Sequence, residues 1–221
     1  MKIRAIIFDL DGTLIDSLAD LANAVNRALV ANGFPERDRV LFPEFIGDGM
    51  RVLIERALPA NARTPETIDQ CTTVYAEEYA ACWHDETVPY SGIDALLEQL
   101  AKKDLKLGVI SNKPDAFTRL CCDHFFPAGV FSIVFGQREG VERKPAPDAA
   151  IEACAVLQVS PSECAYLGDS GVDMRFAKAA GMIPIGVTWG FRSREELLGN
   201  GATHLLDQPA DLLTILEEKN S

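Results

Sequence analysis

Short β-rich runs recur along the chain at residues 3–9 (IRAIIFD), 105–111 (LKLGVIS), 131–135 (FSIVF), 164–168 (CAYLG), 183–187 (IPIGV) and 203–206 (THLL). Helix-length amphipathic segments separate most of them, at 93–103, 114–126, 147–157, 171–180 and 209–218. The runs are nearly continuous in apolar residues instead of alternating, which is the pattern of strands covered on both faces. Strand–helix alternation of this kind predicts an open, parallel, doubly wound α/β sheet with a Rossmann-like layout. At 221 residues the chain has room for one large domain or for one domain with a modest insertion.

The interval from residue 17 to about 88 breaks that rhythm. Leu18, Leu21, Ala22, Val25 and Leu29 recur at a helical period, Ser17 with Asp20 three residues on predicts a capping box, and Gly33 is positioned to stop the helix. Val52, Leu53, Ala57 and Leu58 suggest a second helix. Thr64-Pro65-Glu66 is a good start for a third, with Ile68, Val74, Tyr75, Tyr79 and Trp83 along it. A helical block is therefore expected as an insertion just after the first strand. Its position puts it over the C-terminal ends of the strands, where open α/β sheets bind ligands.

A net charge of -12 argues against nucleic acid or an acidic membrane surface as the main partner, since phosphate backbones need a basic face. It does not exclude a small anionic substrate at a locally positive site. Cys71, Cys82, Cys121, Cys122, Cys154 and Cys164 include no C-x-x-C pair and no histidine at zinc-ligand spacing. They read as reduced, core-filling thiols. The apolar run before Asp9 is too short for a signal-peptide core and no run reaches membrane-spanning length, so a cytoplasmic location is expected.

The stretch AIIFDLDGTLID (residues 5–16) drives apolar residues inward and then sets two carboxylates at the exit. Asp9 and Asp11, two apart on an extended chain, point to the same side, and such a pair is costly to bury without a cation. A hard divalent ion with oxygen ligands, Mg²⁺ above all, is the natural compensation. Gly12 permits a sharp turn, and Thr13 offers a hydroxyl and an amide to an anion. Taken alone, Asp9 to Gly12 could equally be a plain turn. Three more patches lie near predicted strand ends. Ser111-Asn112-Lys113 could cradle phosphate with backbone N–H groups at a helix start, or be a simple N-cap. Lys144, in Arg143-Lys144-Pro145, could neutralise the carboxylates, or be a solvated loop lysine. Asp169 and Asp173, in Gly168-Asp169-Ser170-Gly171-Val172-Asp173, could share a helix face and complete a metal site, or only cap a helix.

In order, these four patches resemble the signature set of the haloacid dehalogenase-like hydrolase superfamily: Asp-x-Asp-Gly-Thr, a Ser or Thr at a second strand end, a Lys, and Gly-Asp-x-x-x-Asp. The resemblance covers nearly the whole chain, and the family pattern includes a helical cap inserted after the first motif. It implies a core domain of residues 1–16 and 89–221 and a C1-type helical cap of residues 17–88. It also implies that Asp9 attacks phosphorus to give a transient aspartyl-phosphate. Asp11 would protonate the leaving alkoxide and then deprotonate the attacking water. By the same resemblance Mg²⁺ would be held by Asp9, the Asp11 backbone carbonyl and Asp169, with Asp173 in support. Thr13, Ser111, Asn112, Lys113 and Lys144 would hold the phosphoryl oxygens.

A dehalogenase has no alkoxide to protonate, so Asp11 favours phosphate chemistry. Within the superfamily, Phe45-Ile46-Gly47-Asp48-Gly49-Met50-Arg51 and the residues up to Leu58 are similar to the cap substrate loop of phosphoglycolate phosphatases, and Ser111-Asn112-Lys113-Pro114 and Thr188-Trp189-Gly190 suit that group. Gly47, Asp48, Gly49 and Arg51 are the cap substrate residues so implied. Arg51 could meet a substrate carboxylate bidentately, or be a solvated cap arginine. The expected activity is Mg²⁺-dependent hydrolysis of a small phosphorylated metabolite, 2-phosphoglycolate before others. A β-phosphoglucomutase-like enzyme and sugar-phosphate, pyrophosphate or nucleotide phosphatases share the core motifs. A non-catalytic sensor would be expected to have lost Asp9, Asp11, Lys144 or Asp169, and a phospho-accepting receiver domain would lack the inserted block. His84, His124 and His204 lie far from every motif and are assigned no role. Monomer and homodimer are both compatible with the sequence.

Overall fold

The computed structural model describes residues 2–220. Strand β1 (Ala5–Phe8) is followed by a two-residue strand, β2 (Ile15–Asp16), and then by α1 (Leu18–Ala31), α2 (Phe42–Phe45), α3 (Met50–Ala57) and α4 (Pro65–Cys82). The chain returns through β3 (Val88–Pro89) and alternates as α5 (Ile93–Ala101), β4 (Lys106–Pro114), α6 (Asp115–Phe125), β5 (Ile133–Gln137), α7 (Asp148–Leu157) and β6 (Cys164–Gly168). It ends with α8 (Gly171–Ala180), β7 (Ile183–Val187), α9 (Arg194–Gly199), β8 (His204–Leu206) and α10 (Asp211–Asn220).

A six-stranded, all-parallel sheet runs in the order β5-β4-β1-β6-β7-β8. Every residue of β1 is fully buried, because alternate side chains enter opposite layers. Ile6 and Phe8 join the core that includes Leu96, Leu97 and Leu100 of α5 and Leu212 of α10. Ala5 and Ile7 join Ala150, Ala153 and Leu157 of α7 and Phe176 of α8. The chain lays β4 and β5 on one side of β1, then crosses to β6 and β7 on the other. That reversal makes β1 the switch point, so the loops leaving β1, β4 and β6 emerge side by side at the C-terminal edge.

The expected strands and core helices are present, with instructive differences. β4 continues to Pro114 through a register shift after Ile110, so residues 111–114 are extended and α6 starts at Asp115. The helix expected over 114–126 is α6, but Ser111 to Lys113, expected at its N-terminal cap, lie in the extended end of β4, and Pro114 takes the cap position. Helix α9, capped by the Ser193 side chain on Glu196 N–H, carries too short a pattern to stand out in the sequence.

In the inserted block α1 packs on α4, and Leu21, Val25, Leu29 and Trp83 belong to the same core as β1. Gly33, at φ +80°, sits just beyond the end of α1, and the Thr64 side chain caps α4 at Thr67 N–H. The capping box expected between Ser17 and Asp20 does not form. Ser17 Oγ donates instead to Asp11 Oδ1 at 2.6 Å. The buried Asp20 carboxylate accepts from Glu86 N, Thr87 N and Thr87 Oγ1, the last at 2.6 Å. Both side chains serve tertiary partners that outcompete their own helix end. Asp20 thus anchors the chain where it turns back, and β2 and β3 pair antiparallel beside it, Ile15 with Pro89 and Asp16 with Val88. Among the described residues no helix is long and apolar enough to cross a membrane. All six cysteines are free and buried.

Candidate active site

Three carboxylates and one ammonium converge at the C-terminal edge. Asp9 leaves β1, Asp169 leaves β6, and Asp173 stands in the first turn of α8, where it forms a capping box with Ser170. Each offers an oxygen within 4.8 Å of the other two. Lys144, from the loop after β5, stands 2.7 Å from Asp173 Oδ1 and 2.9 Å from Asp9 Oδ1, and also donates to Tyr166 Oη. Burial alone would lower the Lys144 ammonium, but Asp173 and Asp9 hold it well above its ordinary value. Burial raises Asp9 to about 7, against the partly opposing charge of Lys144. Asp169 is also pushed well up, by burial and then by the charges of Asp173 and Asp9.

The group is therefore short of positive charge. Asp9 Oδ1 is buried with an ion-pair partner but no directional hydrogen bond, and every candidate ligand is an oxygen. An acidic, all-oxygen cluster of three buried carboxylates that share one ammonium fits a hard divalent cation. Two glycines make the approach possible. A Cβ on Gly12 would lie 2.3 Å from Asp169 Oδ2, and one on Gly190 would lie 2.3 Å from both Asp169 Cβ and the Gly12 carbonyl oxygen. Phe191 N–H, next along, donates to Asp169 Oδ2 at 2.7 Å.

Asp11 belongs to a second group. Its carboxylate receives Ser17 Oγ and both hydrogen bonds of Lys113 Nζ, at 2.8 and 3.0 Å. Lys113 Nζ also stands 4.7 Å above the Tyr79 ring. Because 111–114 is extended, alternate side chains diverge. Lys113 faces Asp11, whereas Asn112 turns to the Lys144 backbone and to Gly47 O.

The segment from Pro43 to Gly49 closes over both groups, gripped by its backbone. Asn112 Nδ2 donates to Gly47 O at 3.0 Å and Arg143 Nη1 to Asp48 O at 3.1 Å. Arg192 donates to Pro43 O through Nη1 and to Ile46 O through Nη2. Each of these side chains is at or beside a residue of the central cluster or its loops: Asn112 follows Ser111, Arg143 precedes Lys144, and Arg192 follows Phe191.

The cavity so enclosed is lined by Asp9, Asp11, Ser111, Asn112, Lys113 and Asp169 of the expected residues, with Gly47 and Gly49 from the block. Thr13, Lys144 and Asp173 are buried and are not among its lining residues. The Thr13 carbonyl accepts Trp189 Nε1 at 3.0 Å, and its hydroxyl is buried without a partner. Asp48 and Arg51 do not line the cavity. Asp48 pairs with Arg56 at 2.6 Å, and Arg51 pairs with Asp69 of α4 where both are exposed. Sequence patterns alone do not assign Tyr75, Tyr79, Phe117, Phe191 or Arg192 to the site, yet all line the cavity. The four-residue spacing of Tyr75 and Tyr79 marks one face of α4, and nothing in the sequence says that this face meets a cavity. The histidines stay apart: His84 lies tilted against Trp83, His124 meets the same ring edge-on, and His204 lies on β8.

The sequence and fold have clear relatives. A family model described as haloacid dehalogenase-like hydrolase matches residues 6–187. A phosphoglycolate phosphatase from Psychrobacter arcticus is 31% identical over 222 residues, covering 98% of this chain and 96% of that protein. Another, from Yersinia pseudotuberculosis, is 34% identical over 213 residues, covering 96% of this chain and 92% of that protein. A crystal structure from Lactobacillus delbrueckii subsp. bulgaricus superposes with a TM-score of 0.91 at 33% identity, covering 98% of this chain and 99% of its own.

Proposed function

The chain belongs to the haloacid dehalogenase-like hydrolase family, and within it we propose a Mg²⁺-dependent phosphatase that attacks a small phosphomonoester, 2-phosphoglycolate, through Asp9. It is a phosphoric monoester hydrolase, as its relatives are. The observation that carries the finer reading is the buried group of Asp9, Asp169 and Asp173 with Lys144 as its ammonium. Three carboxylates against one lysine cannot accept a phosphate dianion without further positive charge.

Asp9, Asp169 and Asp173 would hold the ion, with the Asp11 backbone carbonyl beside them. When bound, it supplies Lewis-acid neutralisation between an anionic nucleophile and an anionic substrate. An Asp9 carboxylate oxygen forms the bond to phosphorus as the bond from phosphorus to the leaving oxygen breaks. Asp11 gives that oxygen its proton, then takes one from the water that cleaves the aspartyl-phosphate and releases inorganic phosphate. Lys144 fixes Asp9 and Asp173 from below, and Ser111 is available to a phosphoryl oxygen at the cavity wall. The segment 43–49, held by Asn112, Arg143 and Arg192, keeps bulk water from the phosphoenzyme. We accordingly divide the chain into a core of residues 1–16 and 89–221 and a cap of 17–88, with β2 and β3 at the join. Six cysteines free of disulfides support a cytoplasmic location.

The test is phosphate release from 2-phosphoglycolate, hexose phosphates, pyrophosphate and nucleotides, with Mg²⁺ or chelator, for the wild type and Asp9→Asn. Metal-dependent release that Asp9→Asn abolishes, greatest with 2-phosphoglycolate, is expected. Release without metal, or undiminished in Asp9→Asn, would overturn the mechanism; a preference for another member would overturn the substrate.

A further inference from the structure

We propose that Lys113 is the specificity residue of this site, and that it reads a carboxylate borne directly on the phosphorylated carbon, so that the substrate class is short O-phosphorylated α-hydroxy acids. The inference rests on the phosphatase reading above and on the proton-transfer role given there to Asp11.

The charge inventory of the cavity leads to Lys113. Of the residues that line it, only Lys113 and Arg192 are cations, and Arg192 donates to the carbonyls of Pro43 and Ile46. Lys144 lies below the floor between Asp9 and Asp173. Arg51, the candidate carboxylate partner from the sequence, pairs with Asp69 outside the cavity. Much of the remaining wall, contributed by the helical block and α6, is apolar or aromatic: Leu21, Met50, Leu53, Tyr75, Tyr79 and Phe117. An anionic leaving group enclosed there needs a cation, because desolvating an unpaired carboxylate costs several kcal/mol.

Distance narrows the class further. Lys113 Nζ is hydrogen-bonded to both Asp11 oxygens, at 2.8 and 3.0 Å. To protonate the leaving oxygen Asp11 must carry a proton on one oxygen and keep the other on Lys113, so Nζ stands about 5–6 Å from the leaving oxygen. In a phosphorylated α-hydroxy acid the carboxylate carbon lies two bonds from the leaving oxygen, roughly 2.5 Å away. Its oxygens then fall within hydrogen-bond reach of Nζ without Lys113 leaving Asp11. An ammonium has three N–H groups, and among the described residues the contacts of Lys113 Nζ are with Asp11 and the Tyr79 ring. A donor therefore remains for the substrate. A site built to pair a charged group discriminates strongly against analogues that lack it.

The experiment compares kcat/KM for 2-phosphoglycolate with that for ethyl phosphate, which replaces the carboxylate by hydrogen, in wild type, Lys113→Met and Lys113→Arg. The wild type is expected to prefer 2-phosphoglycolate, and Lys113→Met to reduce that preference about 10- to 100-fold, chiefly by weakening the binding of the carboxylate-bearing substrate and so raising its KM. Lys113→Arg should recover part of it. If Lys113→Met lowers both substrates by one factor, Lys113 only steadies Asp11 and the inference fails while the phosphatase reading stands. A wild type that prefers ethyl phosphate would instead sink the substrate assignment itself. Should Lys113→Met not fold, Lys113→Gln and inhibition of the wild type by glycolate against ethanol provide the same comparison: equal weak inhibition by both would count against the proposal.

Discussion

Asn112 and Lys144, 32 residues apart, close a two-bond ring between side chain and backbone. Asn112 Oδ1 accepts the Lys144 N–H at 2.9 Å, and Asn112 Nδ2 donates to the Lys144 carbonyl at 3.2 Å. The same Nδ2 reaches Gly47 O at 3.0 Å. One amide thus fixes the end of β4 to the lysine loop and to the segment above.

Asn112→Ala is expected to leave the buried Lys144 N–H and carbonyl unpaired. Each orphaned group costs about 1–3 kcal/mol, so a loss of roughly 2–4 kcal/mol in stability is predicted, with more than about a tenfold fall in kcat/KM. Asn112→Asp keeps the acceptor but turns an oxygen on the two carbonyls, and should not rescue. Thermal unfolding and steady-state kinetics check this; wild-type values for Asn112→Ala would show that the ring holds neither the loop nor the site.

Arg192 carries the corresponding prediction for the segment 43–49. Its guanidinium holds the carbonyls of Pro43 and Ile46, and the N–H of Phe191 beside it holds Asp169. Closure of the segment and placement of that carboxylate are therefore linked through adjacent residues. Arg192→Ala should lower kcat/KM about 10- to 100-fold and speed amide exchange across 43–49. Arg192→Lys should restore only part, since an ammonium does not reproduce the fork. Unchanged exchange in Arg192→Ala would show that other contacts hold the segment.

What the sequence made legible follows from how each residue is carried. Asp9, Ser111 and Asp169 ride on strand ends, and the parallel order brings those ends together wherever the helices lie. Lys144 lies in the loop that leaves β5, anchored at the strand ends by Asn112. Arg192 and Tyr79 depend on how the block meets the core, which is a matter of three-dimensional approach that no local period encodes. Arg51 illustrates the limit: its position on α3 is plain from the pattern, but the neighbouring surface of α4 supplies Asp69 and draws it outward. Ser17 and Asp20 have the spacing of a capping box, yet Asp11 and Thr87 offer them tertiary partners. Lys113 is legible as a residue of the site and not as the partner of Asp11, because the extension of β4 to Pro114 sets which way it faces.

Metal binding should depend on pH with a definite sign. Burial holds Asp9 at about 7 and Asp169 also well above the ordinary 3.8. Between about pH 4 and 7 the metal-free folded protein then binds more protons than the unfolded chain, so this contribution to stability is lost as pH rises through that window. A divalent cation takes the deprotonated carboxylates and reverses the trend. Mg²⁺ at about 100 times its Kd should raise stability at pH 8 by about 2.7 kcal/mol, or roughly 5–10 °C in Tm, and by clearly less at pH 5.5. Chelator or Asp169→Asn should abolish the gain. An equal gain at both pH values would argue that the ion binds elsewhere.

Gly190 gives the strictest steric prediction. It does not have the positive φ of Gly12, so the requirement at this position is for space and not for backbone freedom. An added Cβ would lie 2.3 Å from Asp169 Cβ and from the Gly12 carbonyl oxygen, a distance at which one of the two must move. Neither is the free end of a flexible side chain: Asp169 is held by Phe191 N–H, and Gly12 N–H is tied to Ile15 O. Gly190→Ala should therefore shift Asp169 by a sizeable fraction of an ångström and reduce activity about 100-fold, with the Mg²⁺-dependent gain in Tm lost. Gly199→Ala is the matched control, since a Cβ at the end of α9 meets nothing within 4 Å and the backbone there is ordinary. It should leave activity and the metal response unchanged. Equal loss in both variants would mean that glycine replacement harms the fold in general, whereas loss confined to Gly190→Ala would tie the metal response to the closeness of the β7 loop and Asp169.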